Sequence, residues 1–443
     1  KIATNLKLDI FGFVVLDGSF AFKKATGSFV LTNATTHTST ALNNVQYLEV
    51  GGQVNSAFAG VNGIGFQLTN VSFAAVMVST TGPTPVNYMA LKAGAGSASL
   101  VGIDGLTAVV SSLTVSVNKT SSTTAPNTVL DFANSTNNTT DTAAASRDVA
   151  TSPSTSVTMD IDGDEGVLLQ VGAELTLDVF GFVTLAGSFN FKKATGTFKL
   201  SNGTTLNAAP YLAVGATITS ASVSAGSVAL NLTGIELGMV LVTDTKGTPL
   251  VTTDDVKYTA IKAKVGGASL TGITGIGLVV NELYLIVNKT SSTTTPTLVL
   301  DFNAGGARAG LPVDVATGST TTPTVTLDIE GEQGSLLQVS GSLVLTIAGY
   351  DLSGNFFFSK ALRTKGTGPT ATTESVIKVA VTNLIIPFVS GESGSETPIF
   401  TLTPANGFLF MDSLGMAGQF DVGVIVNASF LSVNAKFQFG INT

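Results

Sequence analysis

Residues 8–27, LDIFGFVVLDGSFAFKKATG, return at 177–196 as LDVFGFVTLAGSFNFKKATG, identical at 16 of 20 positions. The heptapeptide VNKTSST stands unchanged at 117–123 and 287–293, and YMALKAGAGSASLVGIDGL from Tyr88 is answered by YTAIKAKVGGASLTGITGI from Tyr258. A chain copied at a spacing of about 170 residues must fold as a tandem array, each copy a similar unit packed on its neighbour. A third copy opens with VTLDIEGEQGSLLQV at 325–339, matching VTMDIDGDEGVLLQV at 157–171 in 10 of 15 positions, and the likeness fades after LSGNFFFSKA at 352–361. The expected units are 1–152, lacking its N-terminal part, 153–322, and a divergent terminal unit over 323–443.

The local pattern is that of strands. Leu113, Val115 and Val117 alternate with Ser112, Thr114 and Ser116, and the same period of two runs through Leu175, Leu177 and Val179. β-branched residues and glycine dominate and charged helix formers are few, so the expected class is all-β with no amphipathic helix. Each unit is expected to be a two-sheet sandwich or a barrel-like body, with a β-solenoid as the alternative. The spacing between copies two and three shortens by one residue between Ile347 and Leu352. A deletion inside a strand would flip every later side chain, so it is expected in a turn or bulge near Gly349, opposite Gly181. Polar tracts over 118–128, 134–153 and 303–323 are read as linkers or exposed loops. They and their surroundings hold many Asn-X-Ser/Thr triplets, among them Asn33, Asn70, Asn118, Asn138, Asn202, Asn231, Asn288 and Asn427, which an Asn- and Thr-rich chain produces by composition alone.

Charge narrows the function classes. Only 11% of residues are charged and the formal net charge is −8, which offers no positive field to a nucleic acid. No run of about 18 apolar residues exists to form a spanning helix. An outer-membrane β-barrel is a weaker third reading, because Trp is absent and Tyr numbers 6, too few for aromatic girdles. Cysteine is absent, consistent with a location outside the cytosol that does not depend on disulfides. The start at Lys1 reads as a processed product or an excerpt of a longer chain.

Chemistry-bearing residues are sparse. The single histidine, His37, lies in a polar tract, and no nucleophile elbow or phosphate loop is present, so no enzyme activity is expected. The one constellation is acidic: Asp160, Asp162, Asp164 and Glu165 around Gly163, answered by Asp328, Glu330 and Glu332 in the third copy. Carboxylates on alternate positions of a turn suit Ca²⁺, which takes six to eight oxygens, although the spacing is not that of an EF-hand. The competing reading is a solvated acidic turn. Lys23 and Lys24, repeated as Lys192 and Lys193, are expected at a strand end where they block edge-to-edge pairing.

The steps Y-x-A-x-K-A, ASL-x-GI-x-G and FV-x-L-x-GSF-x-F-x-K, with VNKTSST, resemble repeat regions of very large secreted bacterial surface or adhesin-like proteins, over most of residues 1–361. That resemblance implies an extracellular or cell-surface location and a mechanical or adhesive role. The leading expectation is a structural stalk or filament-forming segment. The alternative is a Ca²⁺-dependent adhesive or glycan-binding module. The expected partners are further copies or neighbouring repeats and, for the alternative, cell-surface glycans.

Overall fold

In the computed structural model, residues 2–442 are described apart from 11–13, 62–63, 104–105, 134–144, 180, 182, 248–252, 275, 304–310, 320–322, 348–349, 366–371, 391–396 and 429–430. The first copy contributes β1 (Ile2–Ile10), β2 (Val14–Asn33), β3 (Thr38–Val61), β4 (Ile64–Ser79), β5 (Asn87–Val101) and β6 (Leu106–Thr120), followed by the short β7 (Thr128–Asp131), β8 (Arg147–Ala150) and β9 (Ser156–Met159). The second supplies β10 (Leu168–Val179), β11 (Val183–Lys199), β12 (Thr205–Ala225), β13 (Val228–Asp244), β14 (Val256–Thr271) and β15 (Ile276–Thr290), then β16 (Val313–Ala316) and β17 (Thr324–Leu327). The third holds β18 (Ser335–Ile347), β19 (Tyr350–Lys365), β20 (Thr372–Ser390), β21 (Thr397–Asp412), β22 (Gly415–Ala428) and β23 (Leu431–Asn442). The protein is all-β; among the described residues the two 3₁₀ segments, Gly163–Glu165 and Gly331–Gln333, are single turns.

The long strands form one antiparallel meander in which each pairs with the next. β6 hydrogen-bonds to β10 and β15 to β18, so the sheet runs through all three copies without a break. Among the described residues the sheet is not closed into a barrel. Every named pairing is antiparallel, so the solenoid alternative, which needs stacked parallel coils, does not form. Among the described residues a second layer packs on the sheet where the hairpins β8–β9 and β16–β17 lie on it. Residues 152 and 153 fall between β8 and β9, at the tip of the first hairpin, and residue 322 lies outside the described residues.

The missing residue between copies two and three is taken up in a turn. β10 ends at Val179 and β11 starts at Val183, whereas β18 ends at Ile347 and β19 starts at Tyr350, and both pairs close the same ladder. Gly349 itself lies outside the described residues. A different irregularity crosses the sheet as a line of bulges, whose extra residues include Asn70, Ser112, Gly234 and Asn383, all at positive φ. Ser112 therefore stands outside the alternation that includes Leu113, Val115 and Val117. Asn and Gly tolerate that conformation best, and a line of bulges adds twist to a sheet this wide.

The polar tracts are not simply linkers. Asn118 within the first tract is buried, as are Val129–Asp131 just beyond it. Val149 within the second and Met159 just after it, both 0% exposed, carry the β8–β9 hairpin onto Ala74, Val76, Val78 and Ala90. Val315 and Leu327 do the same on Val240, Val242 and Ala260. A few well-placed apolar residues suffice, since each such side chain contributes about 1.5–3 kcal/mol when fully buried. The hairpins lie so close to the sheet that a Cβ on Gly51 or Gly215 would fall 2.1 or 2.0 Å from the carbonyl oxygen of Ala150 or Ala316. The second hairpin is held to its own copy by Asn190 Nδ2, which donates to Gly318 O at 2.7 Å, and reaches the first copy through Thr114 Oγ1, which donates to Ser319 O at 3.3 Å.

Candidate functional site

The acidic turns act as latches between sheet and hairpin. Asp131, on β7, accepts from Thr32 Oγ1 at 2.5 Å and from the Gly163 amide at 2.9 Å, tying the return segment to the end of β2 and to the 3₁₀ turn. Asp301 holds the Gly331 amide at 3.3 Å in the second copy. Both turns need glycine there, because a Cβ on Gly163 or Gly331 would stand 2.8 Å from the Cβ of that aspartate. Asn118 Nδ2 donates to Leu130 O and Asn288 Nδ2 to Leu300 O, each at 2.7 Å and each from a fully buried side chain. Those two sequons are therefore core hydrogen-bonding residues and are closed to a glycan in the folded chain. Asn138 lies outside the described residues.

The proposed Ca²⁺ ligands are engaged separately. Asp160 pairs with Lys92 at 2.6 Å, and Asp162 Oδ1 caps the 3₁₀ turn by accepting from the Asp164 amide at 2.9 Å. Asp164 faces His37 at 3.2 Å, and Glu165 pairs with Lys192. Asp328 pairs with Lys262 at 2.8 Å, Glu330 accepts from Asn303 Nδ2 at 3.0 Å, and Glu332 lies in the second 3₁₀ turn. Among the described residues no three metal-ligating side chains converge. The lysine pair also differs from expectation: β2 and β11 are interior strands, and Lys23 reaches Glu49 at 3.3 Å rather than guarding an edge.

Burial pushes the Asp162 carboxyl up to about 6 from an ordinary 3.8, reinforced by the neighbouring charges of Asp131, Asp164 and Glu165. An acid whose pKa rises on folding binds protons more tightly in the native state, so stability falls as pH rises from about 3.8 through 6. Asp162→Asn keeps an oxygen for the Asp164 amide and removes the charge. It is expected to stabilise the protein at pH 7 by about 1 kcal/mol, the gain being reduced by partial exposure, and to leave stability unchanged below pH 4. Urea unfolding of both proteins at the two pH values checks this.

The most extensive surface feature is the sheet face opposite the hairpins. One row of paired residues crosses from β3 to β22 as Ala57, Leu68, Ala98, Val110, Leu175, Gly187, Ile218, Ile235, Val265, Leu283, Gly341, Phe356, Val381, Gly407 and Phe420. A neighbouring row on the same face runs Phe189, Ala216, Leu237, Ala263, Leu285, Val339, Phe358, Val379 and Leu409. Neither row contains a polar side chain. The residues between them point to the other face and read Ser56, Thr69, Ser97, Ser111, Glu174, Ser188, Thr217, Glu236, Lys264, Tyr284 and Ser340, giving way to Phe357, Ala380 and Phe408 in the last copy. Ser111 Oγ donates to Glu174 at 3.2 Å and Lys264 meets Glu282 at 3.1 Å along this polar side.

On this face Phe191, Val223 and Phe358 are 38%, 54% and 37% exposed. Among the described residues no hairpin lies over the rows, although at the first-copy end Ala57 is buried in a cluster with Phe20, Val54, Leu68 and Phe73 formed within the sheet. Phe191 and Phe358 are surface residues, where their alternation alone reads as core. Towards the long-loop end the same face carries lysines. The row Lys24, Leu48, Met77, Met89, Lys119 flanks a depression of about 640 Å³, and Lys193, Lys257, Lys289 and Lys360 occupy the margin farther along. The alternation in each strand is visible in the sequence, but only the register shows that the apolar residues of successive strands line up.

No protein-family model matches the chain, and no curated protein matches it.

Proposed function

We propose that this chain is a structural protein of the cell surface, a segment of a wide sheet extended edge to edge by further strands of its own kind. The observation that carries the reading is the single unbroken meander with two open sides: among the described residues β1 pairs only with β2, and β23 only with β22. An unpaired strand edge is a template for another chain. What the copies repeat is scaffold: the buried Asn118 and Asn288, the latch residues Asp131 and Asp301, and the close-approach glycines. The Ca²⁺-dependent adhesive alternative would rely on the acidic turns, where the carboxylates already serve the latches and lysine pairs, and it ranks second.

Sedimentation velocity over a hundredfold range of protein concentration, in buffer and in mild detergent, tests the assembly. Species that grow stepwise with concentration, and that electron microscopy shows as ribbons or tubes, are expected. A single monomeric species throughout would overturn the reading.

A further inference from the structure

We propose that the uncovered apolar face of the sheet is a lipid-facing surface that sits in the hydrocarbon core of a bilayer. The inference rests on the structural reading in one respect, that further strands meet the open edges. Unpaired backbone groups in hydrocarbon cost several kcal/mol each, so a wall in lipid requires them to be paired.

The dimensions and chemistry of the face select lipid over another protein. Along β13 the apolar side runs from Leu230 to Leu241. Eleven steps at ~3.3 Å make about 36 Å of strand, and at the ~40° tilt of membrane-spanning strands this is about 28 Å of depth, close to the ~30 Å of a hydrocarbon core. The apolar rows carry no carboxylate, while Glu174, Glu236, Glu282 and Asp421 all project from the other side. The lysines gather at one margin, where long cationic side chains reach lipid phosphates. A protein-binding patch of standard size covers about 800 Å² per partner and mixes an apolar centre with a polar rim. Here apolar rows cross successive strands from β3 to β22 without a polar interruption. Between long strands within the sheet the backbone is paired on both sides, as a non-aqueous medium demands.

The connections have matching asymmetry. At the end of the sheet away from the lysines the strands of the first two copies turn tightly, as between Val61 and Ile64 or Ala225 and Val228, whereas the excursions carrying the hairpins leave from the lysine end. The third copy departs from this, with six residues between Ser390 and Thr397 and two between Asp412 and Gly415. Spanning sheets place short turns on one side of a membrane and long loops on the other. The polar side, with its hairpins, then faces water.

The chain contains no Trp, so single tryptophans report without background. Leu237→Trp places a probe on the apolar face and Glu236→Trp one on the polar face of the same strand. Each full-length variant is mixed with phosphatidylcholine–phosphatidylglycerol vesicles containing brominated acyl chains and separated by flotation. The protein is expected to float, with Leu237→Trp fluorescence quenched at least threefold and Glu236→Trp changed by less than a fifth. Protein left at the bottom of the gradient, or equal quenching at the two sites, would overturn the proposal. So would an unquenched, blue-shifted Leu237→Trp, which would mean that a second copy covers the face. Circular dichroism confirms that each variant retains its β-structure. A chain that floats and shows this contrast but never associates through its edges would overturn the structural reading alone.

Discussion

Replacing Arg147 by alanine is expected to cost about 3 kcal/mol of stability, the low end of the range for stranding a buried charge. Arg147 opens β8 and forms an ion pair with Glu49, whose side chain is 6% exposed on β3. Its guanidinium also stacks on Tyr47 and Phe29 at 4.6 and 5.0 Å from the ring centres, so one side chain fixes the hairpin to the sheet. Lys23, 3.3 Å from Glu49 and largely solvated, would remain to compensate part of the charge, which keeps the loss at the low end. The second copy indicates how to recover it. There the equivalents of Glu49 and Arg147 are Ala213 and Val313, an apolar pair in the corresponding core. The double variant Glu49→Ala with Arg147→Val should therefore unfold within about 1 kcal/mol of the parent, because well-packed apolar residues can replace a buried ion pair at little cost. A urea-denaturation double-mutant cycle should return a coupling of at least about 2 kcal/mol. Additive losses would contradict this account.

Asn118→Asp is expected to be at least as damaging at neutral pH, by about 3 kcal/mol or more. The native amide nitrogen donates to Leu130 O from a site with 0% exposure. A carboxylate there would be buried and would set an acceptor against an acceptor. Its pKa must rise on folding, so the stability lost at pH 7 should return as pH falls through the folded pKa, when the protonated acid can donate to the same carbonyl. Asn118→Leu, which leaves only that carbonyl unsatisfied, should cost about 1–3 kcal/mol with no such pH dependence. Unfolding midpoints at pH 4.5 and 7 separate the two. A glycan attached to Asn118 of the native folded protein would contradict the burial on which both expectations rest.

The class of the fold is legible in the sequence because period-two alternation and a near-exact repeat are local signals. The turn that absorbs the one-residue deletion follows for the same reason, since any other position would turn Leu352 and its successors to the wrong side. The continuity of the sheet is not legible. Nothing local tells Leu175 that it will lie between Val110 and Gly187, or that β6 will continue into β10 rather than close a separate sandwich. The hairpins are hidden because their anchors, Val149 and Met159, are isolated apolar residues in a Ser- and Thr-rich context. The acidic run is visible, but its role depends on Asp131, thirty-two residues before Gly163. The Glu49–Arg147 pair escapes a reading of either residue alone, yet aligning the copies reveals the paired change to Ala213 and Val313.

The central claim is a single sheet with one apolar and one polar face, and a cysteine scan along β13 tests it most directly. The chain has no native cysteine, so each substitution reports one position. Variants at 230–233 and 235–237, in the vesicle-bound protein, are treated with a membrane-impermeant thiol reagent. Because the bulge residue Gly234 is skipped in the pairing, labelling should mark 231, 233 and 236 and spare 230, 232, 235 and 237, with the alternation slipping by one at Gly234. Uniform labelling, or strict alternation through 234 without the slip, would contradict the two-faced sheet.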